Sequence, residues 1–423
     1  MTGVAARPRP LLLQRDFAAL WGGQLVSILG DRLTYLALVG LLARHTHNFQ
    51  DARSSLLLPV LANVMLAPVL LFSPFTGAWV DRWNLKRVLI ASDALRGLIV
   101  WAIPLAYLSS QHTLPVFALV FALFTCNVFF LPAKSAITPE IVPHDQLVAA
   151  NGLLAIAGVA ATSIGALVGG WVVDHWGWPA AMRIDAVTYL LSVGSLALVR
   201  YRADARRADR PEAALAGYVA EVREGWTLVR SSPRVGLGLT ALAAVWIGGG
   251  FLHVAGNEHI QRAASVPGME RVGVLLCVLG LGAALGTWWV NAAGRDRPRP
   301  LVLGGGMVLV GLALVAFAVT RRFAVFSASA FLVGLFAAPA FVLTETLLQE
   351  GTELQHRGRI FSLRDFLMRL VFMVSVAVAG SLSRAFGTVP TLLVAAVALA
   401  ATGFLTIAWG RRHPSLMGRG GPG

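Results

Sequence analysis

The chain has 423 residues, of which 57% are hydrophobic and only 13% charged, with a mean hydropathy of +0.70. Soluble globular domains carry about a quarter charged residues, so a soluble fold is excluded. The formal net charge of +14 would suit a nucleic-acid binder, but the basic residues alternate between loops, which makes them a membrane-topology signal instead.

Apolar stretches of about 20 residues, enough to cross a hydrocarbon core, recur from end to end. Expected spans are 17–43, 56–80, 87–108, 114–138, 146–173 and 180–199, then 235–257, 271–292, 300–319, 323–348, 359–383 and 389–409. With no water to satisfy backbone groups, such spans must be helices, so the fold class is an all-α polytopic membrane protein of twelve transmembrane helices. The first apolar run follows a start rich in Pro and Arg without a small-residue cleavage pattern, and is expected to remain as a span.

Span one carries Asp31 near its middle, beside Arg32. An ionised side chain in the bilayer interior costs about 2.5 to 3.5 kcal/mol, so Asp31 needs a partner or a task. Neighbours in a helix point about 100° apart, which rules out simple pairing with Arg32. Asp31 is expected either to pair with a basic residue of another helix, such as Lys134, Arg364 or Arg369, or to bind and release a proton. The two are compatible, because a carboxylate losing its cationic partner binds a proton more readily.

Between spans two and three lies GAWVDRWNLKR, residues 77–87, with Gly77, Asp81, Arg82, Lys86 and Arg87 in a short charged hinge. Span five contains Gly165 and Gly169 and span eight Gly282 and Gly286, spacings that let helix backbones approach closely. Cys126 and Cys277 fall within spans and read as small buried apolar residues.

Residues 200–234 form the one long polar interruption, dividing the chain into six-helix halves at 1–199 and 235–423. Within them Ala214, Tyr218, Val222, Trp226 and Val229 recur at helical spacing, which predicts an amphipathic helix on the inner surface. The Pro-Ala pairs Pro132-Ala133 and Pro339-Ala340, in spans four and ten, suggest related halves, a common transporter plan.

Further along, His253 and Glu345 are secondary candidates for a proton, with Asn257 and Glu258 near the outer end of span seven, while Asp185 and Arg183 fit a structural interface better. Tyr35, Trp101, Phe124, Trp246 and Phe372 are candidates to line a pocket for a bulky amphipathic molecule.

Cytoplasmic placement of Arg7, Arg9 and Arg15, the hinge, the central linker, Arg295 to Arg299, Arg357 and Arg359, and Arg411, Arg412 and Arg419 leaves few basic residues outside. Both termini are therefore expected in the cytoplasm. No phosphate-binding loop, metal-ligand cluster or nucleophile-base set occurs, which argues against an ATP-driven pump or a membrane hydrolase and implies neither cofactor nor metal.

The hinge, together with SILGDRLTYLAL in span one, SDALRG in span three, LVAANGL opening span five, RIDAVTYLLS in span six and RGRIFSLRD entering span eleven, resembles the major facilitator superfamily. The likeness is to its drug- and siderophore-exporting branch of macrolide-efflux and enterobactin-exporter-like proteins. It covers nearly the whole chain. It implies two pseudo-symmetric six-helix bundles, and a monomeric secondary transporter of a bacterial inner membrane that exports small organic molecules, with protons as the partner ion.

It also implies a cytoplasmic gate at Gly77, Asp81, Arg82, Lys86, Arg87 and Arg359. Gly77 would admit a neighbouring helix and Asp81 would face the positive N-terminal end of span eleven. Two departures stand out. Asn84 replaces the motif's second glycine, as a residue also able to take a left-handed turn, and Ala166 stands where the span-five antiport motif has proline. Uptake or lipid translocation by the same fold, or a non-transporting sensor, are the alternative readings.

Overall fold

Long apolar runs leave the backbone no partner but itself in lipid. The computed structural model is correspondingly helical through the residues it describes, which are 10–47, 54–80, 82–201, 223, 226, 232–263, 268–294, 297–352 and 357–412. Twelve long helices occur among them. The first six are α1 (Arg15–His45), α2 (Ser54–Val80), α3 (Leu85–Ser110), α4 (Thr113–Ile141), α5 (Leu147–Trp176) and α6 (Trp178–Ala197).

The second six begin with α7, which starts as Pro233–Phe251, passes through a π-helical turn at Leu252–Gly256 and ends as Asn257–Ala263. They continue with α8 (Met269–Trp289), α9 (Arg299–Val319), α10 (Phe323–Glu350), α11 (Arg357–Phe386) and α12 (Thr388–Arg412). Eleven of the twelve are long and apolar enough to cross a membrane. The exception, α6, is 20 residues long and carries Arg183 and Asp185, which lower its hydropathy. The surface helix expected over 214–229 lies outside the described residues, except for Arg223 and Trp226, which are helical and exposed.

The chain divides into two compact units, Met1–Ala37 with Leu71–Ala214 and Leu38–Leu70 with Leu215–Gly423. Residues 38–70, the adjoining ends of α1 and α2, therefore group with the later half of the chain rather than the earlier one.

Within the first unit α3 packs on α4 and on α6, and within the second α9 packs on α10 and on α12. Each half of the chain thus repeats the same pairing of its third, fourth and sixth helices. Its last two helices are joined through a single left-handed glycine, Gly177 (φ +81) between α5 and α6 and Gly387 (φ +88) between α11 and α12, conformations that L side chains avoid.

The glycine spacings work as close-packing surfaces. A Cβ on Gly165 would stand 2.8 Å from the Leu29 carbonyl, and one on Gly169 3.1 Å from Leu33 Cα, so α5 lies backbone to backbone against α1 on either side of Asp31. In the second unit Gly282 meets the Phe331 carbonyl while Gly334 meets that of Leu279, so α8 and α10 each give a glycine to the other.

Candidate functional site

Three helices of the first unit place their polar residues on facing stripes. On α6, Asp185, Thr188, Tyr189 and Ser192 follow i, i+3, i+4, i+7 spacing and are all buried. On α3, Asp93 and Arg96 share a face one turn apart, and α1 contributes Asp31 and Thr34. Two glycines let these stripes meet: a Cβ on Gly30 would overlap the Asp185 carboxyl and the Thr188 hydroxyl, and one on Gly97 would stand 3.1 Å from Tyr189 Cβ.

Arg96, 4% exposed, is the centre of the cluster. Its Nη2 donates to Asp31 Oδ1 at 2.7 Å and its Nη1 to Asp93 Oδ1 at 3.1 Å. The guanidinium carbon lies 4.4 Å from the Tyr189 ring centroid and 5.6 Å from that of Phe130, an aromatic flanking that suits a planar cation. The Tyr189 hydroxyl donates to Asp31 Oδ1, and the Ser192 hydroxyl to Asp93 Oδ2 at 2.6 Å. Among the described residues Asp185 receives only hydroxyls, from Thr34 at 2.5 Å and Thr188 at 2.9 Å.

Within the first unit the partner of Asp31 is therefore Arg96 of α3, a residue of the SDALRG stretch. Arg364 belongs to a different pair in the second unit, with Glu345 of α10, and also bonds Asp365 at 2.9 Å. Asp185, expected at a structural interface, sits within the cluster where α6 meets α1. Its signal was present in the sequence as the polar i, i+3, i+4, i+7 series of RIDAVTYLLS, and that of Arg96 as the i, i+3 pair in SDALRG.

The hinge residues separate. Lys86 Nζ donates at 2.7 Å to the carbonyls of Ala197, the last residue of α6, and of Val199, two residues beyond it. Asn84 does not take a left-handed turn: its φ is −67, and its side chain accepts from the Arg87 amide as the N-cap of α3. Arg82 and Arg87 are exposed. Gly77 and Arg359 are helical, but their surroundings, like Asp81 altogether, lie outside the described residues.

In the second unit Trp246, Phe372 and His253 come together. The Trp246 and Phe372 rings cross edge to face with centroids 5.4 Å apart, and His253 stands 5.8 Å from Phe372. His253 lies in the π turn of α7, where the Asn257 side chain donates to the His253 carbonyl at 2.6 Å. Glu258, fully buried, pairs with Arg262 at 2.5 Å and accepts from Ser383 at 2.6 Å. Tyr35 and Phe124 are half-buried in the first unit. Trp101, 51% exposed, continues a stripe of exposed apolar residues with Leu98 and Leu105, on the face of α3 away from Arg96.

A family model described as Major Facilitator Superfamily matches residues 20–295. Macrolide efflux protein A of Streptococcus pyogenes is 23% identical, over 85% of this chain and 87% of its own. A putative bacilysin exporter of Bacillus subtilis is 24% identical over 81% and 82%, and an uncharacterized MFS-type transporter of Mycobacterium tuberculosis 26% over 96% and 93%. Among solved structures, a bacterial homolog of the human lysosomal transporter Spinster, inward-facing and unoccupied, superposes with a TM-score of 0.72 at 13% identity, covering 96% of this chain and 98% of that one. A peptide transporter POT in complex with sulfate gives 0.73 at 12% identity, covering 94% and 95%. Identities this low speak to the fold alone.

Proposed function

The chain belongs to the Major Facilitator Superfamily, and from that premise we propose that it is a proton-coupled exporter of small organic molecules, with Asp31 as the coupling carboxylate. The observation that carries this reading is the asymmetry of the Asp31–Arg96 pair: the arginine side chain is 5% exposed and the aspartate 33%. Arg96 stays fixed among Asp93, Tyr189 and Phe130, while Asp31 is where the buried cluster meets the outside.

A carboxylate in that position binds a proton when its cation withdraws and gives it up when the pair re-forms, which is the cycle an antiporter needs. Lys86 and Arg87, with Gly77, Asp81, Arg82 and Arg359, are read as the cytoplasmic gate of a two-half transporter, 1–199 and 235–423, working as a monomer in a bacterial inner membrane with both termini inside. Trp246 and Phe372, in edge-to-face contact, are the best-supported part of a surface for an apolar, bulky solute.

Relatives described as macrolide and bacilysin exporters make antibiotic-like molecules the class to try first. Cells with and without the protein are compared for accumulation of a labelled macrolide and a panel of amphipathic dyes. Lower accumulation with the protein, reversed by a protonophore, is the expected result; equal accumulation across the whole panel contradicts export.

A further inference from the structure

We propose that Asp185 is a proton-binding site in its own right, a carboxyl that is protonated in this conformation and exchanges its proton as the α1–α3–α6 cluster rearranges. Three carboxyls face the cluster, Asp31, Asp93 and Asp185, but among the described residues Arg96 is the one guanidinium bonded to any of them. It is taken up by Asp31 and Asp93. The next cation in electrostatic range is Lys134 of α4, which acts on Asp31 and Arg96. Arg32 makes no ion pair with the three carboxyls among the described residues, and its Cβ faces Gly165 on α5.

With both cations charged, three ionised carboxylates would leave one negative charge without a counterion inside a membrane bundle. Asp185 is the member that makes no ion pair among the described residues, and its exposure is 0%. The ionisable groups that act on it are Asp31 from α1, Arg96 from α3 and Tyr189 from its own helix. Helix α5, which also packs on α6, has no ionisable side chain from Leu147 to Val173. A carboxyl so placed is held as the neutral acid.

Its two partners suit exchange. A hydroxyl both donates and accepts, so Thr34 and Thr188 can receive the acid's O–H or donate to the anion without moving. Release transfers one proton from the carboxyl oxygen to water and leaves the carboxylate; no other bond changes. The occasion is the parting of Asp31 from Arg96, which frees the guanidinium's charge for a neighbouring carboxylate. The proposal rests on the export reading only for the use made of the proton, not for its presence.

Infrared difference spectroscopy on the purified protein in lipid nanodiscs, titrated across neutral pH in water and in heavy water, reads the carbonyl stretch of a protonated carboxyl directly. The wild type should show that band, Asp31→Asn should keep it, and Asp185→Asn should lose it. A wild type without the band at neutral pH, or an undiminished band in Asp185→Asn, overturns the site. If Asp185→Asn does not fold, Thr34→Val with Thr188→Val should shift the band, and an unmoved band is equally contradictory. Export indifferent to a protonophore, with the band still lost in Asp185→Asn, supports the site while sinking the coupling reading.

Discussion

Arg96 holds Asp31 and Asp93 at once, with Nη2 2.7 Å from one carboxylate and Nη1 3.1 Å from the other. One cation therefore fixes α3 to α1 and braces its own helix. Removing either end of this arrangement should have very unequal effects. Arg96→Gln leaves two carboxylates without their partner, one of them fully buried, and should cost about 3 to 5 kcal/mol. Asp31→Asn leaves Arg96 still paired with Asp93 and should cost much less. Thermal unfolding of the purified variants gives the order, and adding Asp93→Asn to Arg96→Gln should recover part of the loss.

The Lys86 contacts predict a stability role for a hinge residue. Lys86→Met removes both hydrogen bonds to the carbonyls at and just beyond the end of α6 and should cost about 1 kcal/mol, given that the site is half-buried. Lys86→Arg should restore part of it. Unfolding midpoints of the three forms, measured at low and high salt, test this, and the loss should be smaller at high salt.

Asn84 offers a test of backbone conformation. As an N-cap, its replacement by Ala should cost about 1 kcal/mol and by Gly only a few tenths. A left-handed residue would behave differently, with Asn84→Gly clearly stabilising, and unfolding midpoints separate the two.

Much of the architecture was legible in the sequence because lipid leaves so few choices. Apolar length alone locates the helices, and Gly165 and Gly169 announce a close helix contact by spacing, though not that its partner is α1. The polar cluster was only half legible. Asp31 stands out because nothing beside it in sequence can neutralise it, whereas its partner is set by which helices pack, and that depends on Gly30 and Gly97 letting α6 approach α1 and α3. The polar stripe of α6 was visible as periodicity, but Arg183 and Asp185 near the start of that helix read as interfacial charges. Asn84 misled because the same residue type serves left-handed turns and N-caps, and only the neighbouring Arg87 amide decides between them.

Helix α5 should tolerate no side chain at its contact with α1. Gly165→Val would press a methyl group onto the Leu29 carbonyl, 2.8 Å from where a Cβ would begin, and should cost about 1 to 3 kcal/mol by overpacking. Gly158, with nothing within 4 Å of its Cβ position, is the control, and its replacement by Ala should leave the unfolding midpoint unchanged or raised.

Coupling at Asp31 is tested most directly in proteoliposomes, by imposing a pH gradient and following movement of a compound whose accumulation the protein lowers in cells. Wild-type protein should move that compound against its concentration gradient while protons run down theirs, and Asp31→Asn, folded to the same unfolding midpoint within about 1 kcal/mol, should lose the gradient-driven component. Movement of the compound by Asp31→Asn at the wild-type rate and with the same dependence on the pH gradient would contradict the assignment.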